Sequence, residues 1–430
     1  MIYVALLSLL HFFGAFIYAL PWYSPRGTYL VQSGANAGAV ASGFMISLIG
    51  LIGFAIGVVV VQQYPCGRSR QCDRQWISHW WLIVAGLVFK VILTPLLNGI
   101  PGMSAVLSTG SQLSVVGFLL AALRAWKRRE LKNCAWWTAA ALVIPLVTAV
   151  SSGFIGYGVT SLIIIALFMQ RYIRRSGAVA LSFGVFAYLG LSLWVTYARD
   201  RDEVRAVVWG GGDLSARINQ VAATLLDYEI FDPNDQSHLE FIDMRLNQNL
   251  FVGQAVEYMA TGAVEAANGE TIGFSLIAWI PRVVWPGKPE FGGSGDMVAT
   301  YTGRYFSETS SFGVGQILEF YINFRIIGVF LGMAALGVGI SLLDREAAFH
   351  LSRGDSWGFV VWFLPMMAAI QPGGALSEVV ASAAAAGVLL FILHQFKAHI
   401  GGIHDISGKG RKGRSLGSRV RRVRRRNHRI

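Results

Sequence analysis

The stretch WIPRVVWPGKP, residues 279–289, holds three prolines, two tryptophans, one arginine and one lysine. Prolines fix φ and stiffen the path, and tryptophan rings settle at the headgroup level of a bilayer. Arg282 and Lys288 bring two positive charges to this rigid platform, with Trp285 between them. The make-up suits an anionic lipid headgroup, and it equally suits an interfacial anchor whose cations meet phospholipid. Further on, Glu319 opens a long apolar run and Asn323 follows one helical turn later on the same face, so the two can orient one hydroxyl together. Glu319 also suits a structural hydrogen bond between helices. On a straight helix Arg325 would point to another face, where Tyr321 at i−4 offers a ring to stack on.

Other residues carry weaker signals. Asp200-Arg201-Asp202 has the spacing of a metal-binding carboxylate pair but lies in a charge-rich helix end, so no metal is expected there. Asp227 and Glu229 read as a solvated helix end. The FGGSGD run at 291–296 can turn backbone N–H groups toward a phosphate, but without a following lysine it reads as a lid. Lys90 stands alone among the Lys and Arg well inside the first apolar segments, where a cation either serves function or snorkels to the interface. Cys66 and Cys72 have no second pair to complete a zinc site, and with Cys134 they fall in or beside segments expected to stay reduced. No serine sits in a nucleophile elbow, and the acidic loop contains the single histidine His238. No cofactor is implied.

The elements that must position these residues are membrane helices. Of 430 residues, 54% are hydrophobic and 14% charged, too few charges for a soluble protein of this size. Runs near the ~20 residues that a bilayer core requires fall at 2–20, 39–61, 80–99, 108–125, 135–151, 154–170, 177–197, 315–342, 357–372 and 377–396. The expected fold is an all-α polytopic membrane protein of about ten transmembrane helices. The first lacks a basic n-region and a small-residue cleavage site, so it reads as a retained helix. Arg68, Arg70 and Arg74, residues 124–132, Arg171, Arg174 and Arg175, Arg345 and Arg353, and the tail all fall on one side of that arrangement. The positive-inside rule then puts both termini in the cytoplasm.

The chain divides into helices at 1–198, a large and partly helical periplasmic loop at 199–314, helices at 315–396 and a basic tail at 397–430. The loop is acidic, with 8 Lys/Arg against 16 Asp/Glu. Within it, Leu214, Ile218, Val221 and Leu225 recur at helical spacing behind Gly210–Gly212 and a candidate Asp213 N-cap. A second helix is expected at 242–267, and 272–285, interrupted by Pro281, reads as interfacial or re-entrant. The tail carries 12 Lys/Arg against Asp405, a net +11 of the chain's +12. Beside a membrane helix it reads as an anchor to anionic lipid rather than a nucleic-acid contact.

PRVVWPGKP, FGGSGD, GRYF and SSFGVGQILEFYINF, followed by an apolar helix, together resemble the Wzy-type O-antigen or exopolysaccharide polymerases, which join oligosaccharide repeat units in bacterial envelopes. The match covers about residues 240–335, and the N-terminal half is similar in hydropathy pattern. Arg325 departs from it, since the resemblance puts glycine after Asn-Phe. The resemblance implies an inner-membrane glycosyltransferase that moves a growing glycan from undecaprenyl diphosphate to a sugar hydroxyl of an incoming lipid-linked repeat unit. Arg282 would then stabilise the diphosphate charge, supported by Lys288, Arg304 and Arg245, with Trp285 and Asn323 contacting substrate. Glu319 would accept the hydroxyl proton. Membrane lipids, a flippase and a chain-length regulator are the implied partners. An O-antigen-ligase-like transferase and a lipid-linked-oligosaccharide flippase are the alternatives; the flippase would carry internal symmetry, which the sequence lacks.

Overall fold

The computed structural model describes residues 1–26, 34–63, 75–97, 103–141, 143–153, 156–170, 176–280, 285, 287–288, 294–304, 313–395 and 404–405. Arg282, the first half of FGGSGD, the Cys66/Cys72 segment, Arg171 to Arg175 and nearly all of the tail lie outside them. The described chain is helical apart from a two-residue antiparallel ladder, Gln75–Trp76 against His404–Asp405. Among the described residues six helices are long and apolar enough to cross a bilayer: Ile2–Ala19, Ala37–Gln63, His79–Leu97, Ser104–Lys127, Gly315–Ser352 and Leu376–Gln395. The protein is a helical membrane protein. Elsewhere in the apolar N-terminal half, Leu131–Ala140, Val143–Ser152 and Gly156–Gln170 are helices of 10, 10 and 15 residues, and Ser176–Arg199 has 24. Ser356–Ala369 is apolar but only 14 residues long.

The central contact joins Ala37–Gln63 to Gly315–Ser352. Gly53 and Gly57 on the first helix sit against the backbone carbonyls of Phe330 and Ala334, and a Cβ on either would collide with them. Small residues let two backbones approach where lipid supplies no hydrophobic drive between helices. Gly50 lies beside Val329 and Met333, and the Val61 carbonyl lies 3.5 Å from Arg345 Nη1, so the two helices run in the same direction. This pairing defines two ends. At one, Arg345 joins Val61, Arg124 stacks on Trp76 at 5.1 Å, and Ile77 N donates to Ser356 Oγ at 2.9 Å beside Arg353. The basic residues 124–132, 345 and 353 therefore share one end, as the charge pattern requires.

Several expected helices break. The run 315–342 reads as one straight helix, but in the observed Gly315–Ser352 Phe324 has φ −134° and Arg325 has φ 57°, ψ −146°. A Cβ on Gly332 would lie 2.6 Å from the Phe320 ring, and one on Gly328 2.5 Å from the Phe320 carbonyl. On a continuous helix residues 320 and 332 would stand about 18 Å apart at 1.5 Å per residue. Residues 315–323 therefore double back alongside 326–335, and Glu319 sits on this short returning limb rather than at the mouth of a long span. The helix expected over 242–267 is likewise two helices, Gln236–Leu246 and Asn249–Ala260, separated at Asn247 and Gln248. The first of them runs antiparallel to the first span: Tyr18 and Tyr23 bond Asp243, Gly14 meets the Leu246 carbonyl, and Gln248 N donates to Leu10 O at 3.0 Å. The first span is itself irregular, with π geometry over Ser8–Phe13 and 3₁₀ geometry over Gly14–Ala19.

The described residues of the acidic segment form helices, in keeping with its aromatic and periodic residues. Asp213 caps Leu214–Leu226 by accepting from Ala216 N at 2.7 Å. Val221 packs with Val204, Val208 and Tyr197 in a satellite core, while Leu214 and Ile218 stay exposed.

Candidate functional site

Two chain reversals and the start of a helical limb meet halfway along the first span. One reversal is the Asn247–Gln248 tip; the other is 370–375, between Ser356–Ala369 and Leu376–Gln395; the limb is 315–323, which begins at Gly315. Each leaves backbone groups without helical partners inside an apolar surround, where an unpaired group costs several kcal/mol. The partners are supplied across the junction. Gly315 N donates to Gly373 O at 3.3 Å, and Gln316 Nε2 donates to the carbonyls of Gln371 and Gly374, both at 2.6 Å. Gln316 Oε1 in turn accepts from Tyr3 at 2.7 Å. The Asn249 amide donates to the His11 carbonyl where the π turn frees it.

His11 is the centre of this junction and is wholly buried. Ser47 Oγ gives its proton to Asn249 Oδ1 at 2.5 Å, so His11 Nδ1, 3.0 Å from Ser47 Oγ, must be the donor there. That tautomer leaves Nε2 as a bare acceptor. Neither Nε2 nor the buried Gln248 Oε1 has a partner among the described residues. A Cβ on Gly315 would lie 2.9 Å from Gln248 Oε1, 3.1 Å from Pro372 O and 3.3 Å from His11 Nε2, so three acceptors close on this glycine. Its φ of 68° separately favours glycine.

Glu319 and Asn323, four residues apart on the returning limb, are both 1% exposed. Glu319 Oε2 accepts from Leu376 N at 2.6 Å and Oε1 from Ser275 Oγ at 3.0 Å. The carboxylate thus satisfies the first N–H of the Leu376–Gln395 helix, whose positive end favours it. Asn323 Oδ1 accepts from Gly269 N at 2.8 Å, while its Nδ2 donates to Thr271 Oγ1 at 2.6 Å and to Glu319 O at 2.7 Å. Together they fasten Glu270–Ile277 to the limb. Lys288 closes the other end of that helix, with Nζ 2.8 Å from Ala278 O and 3.1 Å from Ile280 O. Trp285 is 39% exposed nearby in sequence.

Glu319, Asn323 and Lys288 are therefore gathered on one short helix. Arg304 is exposed and packs against Gly34, and Arg245 is exposed on Gln236–Leu246; neither shares these contacts. Arg282 lies outside the described residues. Arg325 lies over the Tyr321 ring at 5.8 Å, a contact made across the break at Phe324–Arg325 rather than along the straight helix that the spacing assumes.

The weaker candidates have structural partners. Arg199 holds Asp200 at 2.8 Å, Asp227 at 2.9 Å and Glu229 at 3.2 Å, and Arg201 holds Asp202 at 3.1 Å. Arg199 keeps the Asp200 carboxyl below its usual range. His238 is buried, accepting from Asp232 N at 3.0 Å and meeting Glu229 Oε1 at 2.9 Å, which fixes Nε2 as the protonated nitrogen. No group of three or more His, Cys, Asp or Glu able to hold a metal occurs among the described residues.

A family model described as "Domain of unknown function (DUF8712)" matches residues 1–401. The chain belongs to the DUF8712 family. No curated protein and no solved structure matches it. In this DUF8712 chain, sequence reasoning missed His11, Gln248, Gln316 and Gln371 as junction residues. It also missed Glu378, an exposed second carboxylate whose Oε2 would lie 2.8 Å from a Cβ on Gly374. Their signals were a lone histidine in the first span and the QPGG break at 371–374, where polar residues interrupt apolar runs.

Proposed function

We propose that the protein is a glycan polymerase of the inner membrane, transferring an undecaprenyl-diphosphate-linked oligosaccharide onto the sugar hydroxyl of an incoming lipid-linked repeat unit. The observation that carries the reading is the buried Glu319–Asn323 pair on a re-entrant limb. This limb falls within the stretch that resembles the Wzy-type polymerases. A second support is Arg325, which adopts a glycine-type conformation where the resemblance puts glycine.

In this reading the chain crosses the membrane about ten times, with both termini cytoplasmic and residues 199–314 periplasmic. Glu319 accepts the proton of the acceptor hydroxyl after the Ser275 hydroxyl rotates off its oxygen. Asn323 holds Glu270–Ile277 in place. Arg282 meets the developing diphosphate charge, with Arg245, Trp285, Lys288 and Arg304 as further substrate contacts. Arg282→Lys should lower polymer formation about 10²–10³-fold, because a point ammonium lacks the bidentate fork. Wild-type polymer from that variant would reduce the segment to an anchor. Impermeant thiol labelling in intact cells should mark Ser237→Cys and spare Ser407→Cys, and the reverse pattern would overturn the topology.

Transport is the second reading, favoured by one observation. Broken helices meeting at mid-span also build the substrate sites of transporters. A flippase variant would trap repeat units on the cytoplasmic face, whereas a polymerase variant leaves single units on the outer face.

A further inference from the structure

At the basic end, away from the junction, a cavity of about 390 Å³ opens between His79–Leu97 and the end of Ser104–Lys127. Arg124 and Arg128, one helical turn apart, supply its charge. Among the described residues neither guanidinium has a carboxylate partner or a hydrogen-bond acceptor; Arg124 has only the Trp76 ring, 5.1 Å away. A ring contact consumes no acceptor, so among the described residues the N–H donors of both are unsatisfied. The one carboxylate in the wall, Glu130, is held by Asn133 Nδ2 at 2.9 Å.

Aromatic rings line much of the rest of the wall, beside Ser78, Ala121 and Ala125. Trp80 and Trp137 meet edge to face at 4.9 Å, and His79 meets Trp137 at 5.4 Å. Tryptophan clusters of this kind sit at the headgroup level. From the cavity, Trp80, Val84 and Val88 continue along one face of the helix at a spacing of four residues, and they are 56%, 52% and 37% exposed. An anion site with an apolar stripe leading from it into the bilayer has the shape of a phospholipid: phosphate in the cavity, acyl chain on the stripe. A free phosphate would have no use for the stripe.

We propose that this cavity binds the phosphate headgroup of an anionic phospholipid, with Arg124 and Arg128 as its donors. The site is independent of the polymerase reading and lies at the basic end, away from Glu319 and the mid-span junction.

Native mass spectrometry of the full-length protein in neutral detergent tests it, with phosphatidylglycerol, phosphatidylcholine and inorganic phosphate as probes. The wild type should retain phosphatidylglycerol in preference to phosphatidylcholine, and an equal concentration of inorganic phosphate should leave it bound. Arg124→Gln should weaken retention at least about tenfold, the effect of losing a charge-assisted hydrogen bond. Arg353→Gln, a basic-end control outside the cavity, should cost no more than the roughly fivefold of one surface charge. Glu130→Gln should strengthen retention, and this variant carries the test if Arg124→Gln fails to fold. Equal retention in Arg124→Gln and Arg353→Gln, no change in Glu130→Gln, or displacement by inorganic phosphate would each overturn the proposal.

Discussion

The Glu319 carboxylate accepts the backbone N–H of Leu376 at 2.6 Å, so a side chain on one re-entrant limb holds the start of the last apolar helix. Its other oxygen holds Ser275 at 3.0 Å. Glu319→Ala leaves the buried Leu376 N–H unpaired, while the Ser275 hydroxyl keeps Thr271 O as an acceptor at 2.8 Å, so the cost is about 1–3 kcal/mol. Folded protein in the membrane should fall and the detergent melting temperature should drop by several degrees.

Gly315 is expected to tolerate no side chain. Alanine there meets Pro372 O at 3.1 Å and Gln248 Oε1 at 2.9 Å, and φ is 68°. The left-handed backbone alone costs about 1–2 kcal/mol for a residue with a Cβ, so Gly315→Ala should lower the melting temperature. Gly339→Ala is the control, because a Cβ there meets nothing within 4 Å, and it should stabilise by about 0.5–1 kcal/mol.

Arg325 carries φ 57° and ψ −146°, a region that costs about 1–3 kcal/mol for residues other than glycine. Its stacking on the buried Tyr321 ring, with Arg325 itself half-buried, returns about 0.5–2 kcal/mol. At the middle of these ranges the strain outweighs the stacking, so Arg325→Gly should raise the melting temperature with the fold unchanged. A fall would show that the ring contact is the larger effect.

Among the described residues, what the sequence made legible was six of the ten expected apolar spans, the basic end, the Asp213 cap and the Arg325–Tyr321 contact, though not the break across which it forms. The chain reversals were less so. A hydropathy run across Phe324–Arg325 or Asn247–Gln248 does not register a reversal, because neither site carries the proline or glycine that usually marks one. The limb 315–323 consequently read as the opening of a long span. The polar residues that satisfy the broken backbones come from segments hundreds of positions apart, as with Tyr3 and Gln316, and no local pattern joins them.

Asp243 gives a pH dependence. Burial raises its pKa above the ordinary 3.8, against the opposing hydrogen bonds of Tyr23, Asn247 and Tyr18. The folded state then binds the proton more tightly than the unfolded chain, so this contribution to stability is full below pH 3.8 and is lost as pH rises through the raised pKa. Melting temperature should fall across that window in the wild type, and Asp243→Asn should flatten the slope. An unchanged slope would assign the titration elsewhere.

Polymer length from Glu319→Gln tests the central claim most directly. Glutamine keeps the clamp, because its oxygen can accept from Leu376 N while its amide donates to a reversed Ser275 hydroxyl, so membrane abundance should match the wild type. What it removes is the proton acceptor. In a host lacking its own copy of the gene, gels should show single repeat units in place of polymer at normal protein level. Wild-type chain lengths from Glu319→Gln would contradict the account and leave Glu319 as a helix clamp alone.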